Sequence, residues 1–94
     1  MTPSIALLRV RFRLDGCDSL KERRQRLGGL RQRLGRESAV ALCEEPGNDP
    51  QESVWSIVVV ASSERGVTEL VNRIERDLES RVDAVVVEQI RERL

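Results

Sequence analysis

Ninety-four residues, 39% hydrophobic and 34% charged, suffice for one domain with a single two-layer core, and with 2% aromatics that core must be built from Val, Leu, Ile and Ala. No apolar run is longer than the five residues of Ile57–Ala61, which excludes a spanning helix, and histidine is absent, which removes the commonest general base and metal ligand. The net charge of zero hides a split: residues 1–36 carry ten cations against Asp15, Asp18 and Glu22, a net +7, and the other 58 residues carry a net −7.

The chain opens on a strand pattern over Ile5–Leu14. Leu8, Val10, Phe12 and Leu14 share one parity, and Arg9, Arg11 and Arg13 share the other, so a half-buried strand shows an arginine ladder on its second face. Asp15-Gly16-Cys17-Asp18 breaks the alternation. Ser19-Leu20-Lys21-Glu22 then has the spacing of a capping box, in which a serine hydroxyl and a glutamate satisfy the first free amides of a helix. Leu20, Leu27, Leu30 and Leu34 fall on one narrow stripe of that helix, which Gly35 is expected to end. Arg23 lies within the stripe by angle and is expected to snorkel off the end of the sheet. Gly28-Gly29 costs the helix about 0.8–1 kcal/mol per glycine relative to alanine, and tight packing against a neighbour is the expected reason.

Ser38–Glu44 reads as a second strand and Ser53–Ala61 as a third, joined by the turn-rich loop of residues 45–50. Trp55 shares its parity with Ile57, Val59 and Ala61, the expected inward set, but Val54, Ser56, Val58 and Val60 are nearly as apolar. Val67, Leu70, Val71, Ile74 and Leu78 trace a second helix. Val82–Glu88 is the last strand, with Ile90 and Leu94 in a short tail. The order β-α-β-β-α-β over a single domain, residues 1–94, predicts an α+β, ferredoxin-like sandwich: a four-stranded antiparallel sheet with two helices on one face. With the first strand central, the arginine ladder lies in the middle of the uncovered face.

Gly16-Cys17-Asp18-Ser19-Leu20-Lys21-Glu22-Arg23-Arg24 resembles the G-C-x-S-L-K-E-K-R segment of the YlxP-like family, small uncharacterised bacterial proteins of ferredoxin-like fold. Gly16, Cys17, Ser19, Leu20, Lys21, Glu22 and Arg24 match, and Arg23 replaces a lysine. The chain departs from the family in the hairpin, where Asn48-Asp49-Pro50-Gln51-Glu52-Ser53 stands in place of D-L-W-Q-R-A. The resemblance implies the fold and an association with the ribosome. It supplies no activity.

Lys21, Arg23 and Arg24 crowd a helix N-terminus whose dipole is already positive, the arrangement of an anion site. The expected anion- or RNA-binding residues are therefore Arg9, Arg11, Arg13, Lys21, Arg23, Arg24, Arg26 and Arg31, with Gly16, Cys17, Ser19, Leu20 and Glu22 as the structural cap. No catalytic residue, metal ligand or cofactor is expected. Cys17 lies near cations and a helix start, which could lower its pKa, but it has no base partner and reads as a packing residue. Two strand spacings, roughly 9–10 Å, separate it from Cys43, too far for a disulfide. The carboxylates Glu44, Glu45, Asp49 and Glu52 have no calcium-loop spacing.

The expected function is non-catalytic binding of structured RNA or a ribosomal subunit through the phosphate backbone, since Phe12 has the inward parity and Trp55 is expected to share it, leaving no aromatic for base stacking. The competing expectation is a homodimeric or ligand-sensing module that uses the open sheet face. Neither a membrane nor DNA sequence readout is expected. Only Ile5–Leu8 is apolar at the N-terminus and Arg9 follows at once, so no signal peptide is read there, and the expected location is cytoplasmic.

Overall fold

A computed structural model describes residues 2–80 and 82–94. The chain forms β1 (Ser4–Arg13), α1 (Leu20–Gly35), β2 (Val40–Glu44), β3 (Glu52–Ala61), α2 (Glu64–Ser80) and β4 (Val85–Arg93), and the antiparallel sheet has the order β2-β3-β1-β4. This is the ferredoxin-like arrangement, with β1 central as the usual strand order of that fold predicts. Strict period-two burial along β1 sends Ala6, Leu8, Val10 and Phe12 into the core and leaves Ile5, Leu7, Arg9, Arg11 and Arg13 on the other face.

β3 settles the parity of Trp55. Trp55, Ile57 and Val59 are fully buried, and Trp55 meets Phe12 edge to face with ring centroids 5.0 Å apart. Its indole N–H is buried without an acceptor. Leu27, Leu30 and Leu34 of α1 and Val67, Val71, Ile74 and Leu78 of α2 close the core from one side, with Leu70 half-buried at its margin. Both aromatics are thus committed to packing.

Two boundaries and the geometry of one helix cap differ from the pattern. β2 starts at Val40, because Ser38 and Ala39 are spent in the turn that follows α1. α1 ends at Gly35 with Arg36 as its right-handed C-cap (φ −85°), whose amide reaches the carbonyls of Arg33 and Leu34. The left-handed conformation that favours glycine is used instead at Gly16 (φ +72°), in the turn between β1 and α1.

The third difference is the largest. β4 begins at Val85 and runs through the expected tail to Arg93, pairing with β1 up to Ala6 and bulging at Val87. Beyond Val86 its helix-facing positions are polar: Gln89 and Arg91 bond Glu75, and Arg93 bonds Thr68 on α2. An edge strand whose inner face meets a helix's polar flank has no apolar alternation to announce it.

Candidate nucleic-acid interface

The first turn of α1 is built as the capping box requires. Ser19 Oγ accepts the Glu22 amide at 3.1 Å, and Glu22 Oε2 accepts the amide of Asp18 at 2.8 Å, one residue ahead of the cap. Asp18's amide, the Cys17 thiol and nearby Arg26 hold the Glu22 carboxyl below its ordinary range. Cys17 is buried in the core and its thiol bonds the Ser19 carbonyl at 3.5 Å. Burial and the Glu22 carboxylate push its pKa up, which reverses the lowering expected from its position: desolvation of the thiolate outweighs the neighbouring cations. Cys17 and Cys43 are both free thiols.

The eight expected phosphate ligands separate into three groups. The ladder does lie on the open face, but each arginine has a carboxylate: Arg9–Glu45 at 2.6 Å, Arg11–Glu52 at 3.6 Å and Arg13–Asp15 at 2.9 Å. Glu88 of β4 is the cross-strand neighbour of Arg11 as well. That half of the face is charge-balanced, not basic.

Arg23 and Arg26 form the second group and do internal work. Arg23 is 8% exposed and does not snorkel off the sheet end. Its guanidinium donates to the carbonyls of Asp49 (2.8 Å), Glu52 (3.0 Å) and Gly47 (3.3 Å), clamping the β2–β3 loop. The planar fork explains how it can be buried here, since its N–H groups meet three loop carbonyls at once in place of water. Arg26 likewise donates to the carbonyls of Asp15 and Asp83 at 2.9 Å and pairs with the Asp83 carboxylate, joining the turn before α1 to the segment before β4.

The third group stays on the surface of α1. Lys21 and Arg24 are exposed and meet no partner among the described residues, while Arg31 makes an ion pair with Glu44 at 2.9 Å. Arg36 extends the same side. At 100° and 1.5 Å per residue, Lys21, Arg24, Arg31 and Arg36 occupy an arc of roughly 140° over about 22 Å, with Gln25 and Gln32 between them. No carboxylate of α1 falls within that arc.

Gly28 lies on this side too. A side chain at Gly28 would meet nothing within 4 Å, and one at Gly29 only the Arg33 guanidinium at 3.8 Å, so neither glycine is there for tight packing. Gly28 instead opens a cleft of about 340 Å³ bounded by Arg24, Leu27, Arg31, Glu44 and Trp55. Pattern reasoning missed that these glycines leave the outer helix surface bare.

A family model described as a protein of unknown function, DUF503, matches residues 5–91. The chain belongs to the DUF503 family. No curated protein matches this DUF503 chain. Among solved structures it is similar to the de novo designed protein Foldit4, with 17% identity, 97% of each chain covered and a TM-score of 0.56. A second designed protein, Ferredog-Diesel, aligns at 19% identity over 98% of this chain and 87% of its own, with a TM-score of 0.40. At such identity the likeness to Foldit4 speaks for the fold alone. Among the described residues, no group of Cys, Asp and Glu side chains is arranged to hold a metal ion, and no helix is long and apolar enough to cross a membrane.

Proposed function

We propose that this DUF503 protein, which resembles the YlxP-like proteins in its Gly16–Arg24 motif, is a non-catalytic binder of structured RNA, ribosomal RNA foremost. The contact surface is the outer side of α1, and it is narrower than the strand–helix surface suggested by the sequence. The carrying observation is that Lys21, Arg24, Arg31 and Arg36 share one arc of α1 with no carboxylate on the helix to neutralise them, while the sheet ladder is matched by acids.

Phosphates are drawn to this arc by charge and by the exposed amides and dipole of the helix start. The bare backbone at Gly28 and Gly29 lets a sugar–phosphate chain approach the helix closely. With Phe12 and Trp55 buried, recognition is of backbone and shape rather than of stacked bases. Exposed pairs such as Arg31–Glu44 are worth little, so Arg31 can exchange its carboxylate for a phosphate at low cost.

Binding to ribosomal RNA across a salt series tests the reading. The logarithm of the affinity is expected to fall linearly with log salt concentration, and Lys21→Ala with Arg24→Ala together should flatten that slope by about one to two units. Absence of RNA binding at low salt would refute it.

A further inference from the structure

The uncovered sheet face divides into two halves along the strands. Cross-strand register places Ile5 beside Val60, and Leu7 beside Val58, with Ala41 next to Val58 and Ile90 next to Arg9. Leu94 joins Ile5 through its amide at 2.9 Å. Val60, Ile90 and Leu94 are 40%, 48% and 64% exposed, so one half is largely apolar and open to water, with Arg9 and Glu92 standing within it. The other half carries Arg11, Arg13, Glu45, Glu52 and Glu88, beside Val54 and the exposed Val85.

We infer that this face is a homodimer interface, on which a second copy packs sheet against sheet about a two-fold axis running along the strands. The choice of a second copy follows from the charges. Cations and carboxylates are interleaved on the face, which therefore selects neither an acidic nor a basic partner, and a chain of zero net charge does not repel its own copy.

The axis follows from the order β2-β3-β1-β4. A two-fold along the strands sets β1 on the copy's β3 and β4 on the copy's β2 while keeping each row at its own height. Leu7 then faces the copy's Val58, Ile5 its Val60, and Arg13 its Glu52. The one like-charge meeting, Glu88 with the copy's Glu45, falls on the rim where Arg9 already pairs with Glu45. An axis across the strands would instead press Ile5 and Val60 onto Arg13 and Glu52, whereas the axis along them sets only Arg11 on the copy's Val54 and Glu92 on its Ala41.

The size is sufficient. Four strands about 4.8 Å apart and five to ten residues long outline a face of roughly 540 Å². Side-chain relief brings that near the ~800 Å² per partner of a standard interface, and aligned sheets pack about 10 Å apart in this manner. Both α1 surfaces stay outside such a dimer, so the inference stands whether or not the chain binds RNA.

Sedimentation equilibrium of the full chain decides it. The expected species has twice the 10.7 kDa chain mass, with a dissociation constant that changes less than about threefold from roughly 0.1 to 0.5 M salt, because the apolar half holds the copies together and the ion pairs on the face contribute little. Val58→Glu, at the centre of the face, should weaken the dimer by more than about tenfold while circular dichroism stays native. Ile90→Lys, on the edge strand and already half-exposed, should weaken it in the same direction and decides the matter if Val58→Glu does not fold. A wild-type monomer at about 100 µM, where an interface of this size associates, would overturn the inference. So would a dimer that salt dissolves, or one that the folded variants leave intact.

Discussion

Arg23 shows how a side chain that looks like a ligand can be a piece of architecture. Three backbone carbonyls of the β2–β3 loop converge on its guanidinium, and a lysine ammonium cannot reach three acceptors in one plane. Arg23→Lys should therefore destabilise the fold by about 1–2 kcal/mol in chemical denaturation, with RNA affinity in the folded protein unchanged. A variant as stable as the parent but weaker in RNA binding would return Arg23 to the contact surface. Glu22 is the titrating member of the same turn. Its carboxyl is lowered first by the Asp18 amide, so the ionised form stabilises the fold above the ordinary glutamate range, and that stabilisation is lost as pH falls through the lower folded value. Glu22→Gln should be less stable than the parent near neutrality and lose less stability on acidification from about pH 6 to pH 3. Parallel acid profiles for the two proteins would show that Glu22 is not the group responsible.

At the scale of elements, legibility followed burial. β1, β3 and both helices were readable because each has a dry face whose period can be counted, as in Leu8, Val10 and Phe12 or Val67, Val71, Ile74 and Leu78. The cap was readable because Ser19 and Glu22 must meet amides at fixed spacing. The second half of β4 was not, because Gln89, Arg91 and Arg93 face the polar flank of α2 and leave no hydrophobic signal. Pairing was equally hidden: nothing local to Arg9 or Arg11 reveals that Glu45 and Glu52, more than 30 residues away, stand beside them. The glycines of α1 offer the clearest test at this scale. Gly28→Ala fills open space within a helix and should raise stability by about 0.8–1 kcal/mol in urea denaturation. A loss of stability would mean that the site is not open.

For the whole molecule, the +7 and −7 halves of the sequence do not become a basic half and an acidic half in space. The sheet brings Glu45, Glu52 and Glu88 from the acidic segment onto the ladder of the basic one, and the excess positive charge that remains visible gathers on α1. This redistribution decides which cations a polyanion can reach. The most direct test compares two triple variants in binding to ribosomal RNA at low salt. Lys21→Ala, Arg24→Ala and Arg31→Ala together should weaken binding by about a hundredfold or more, whereas Arg9→Ala, Arg11→Ala and Arg13→Ala together should change it by less than about fivefold. The reverse ranking, with the ladder variant losing affinity and the α1 variant keeping it, would contradict the account.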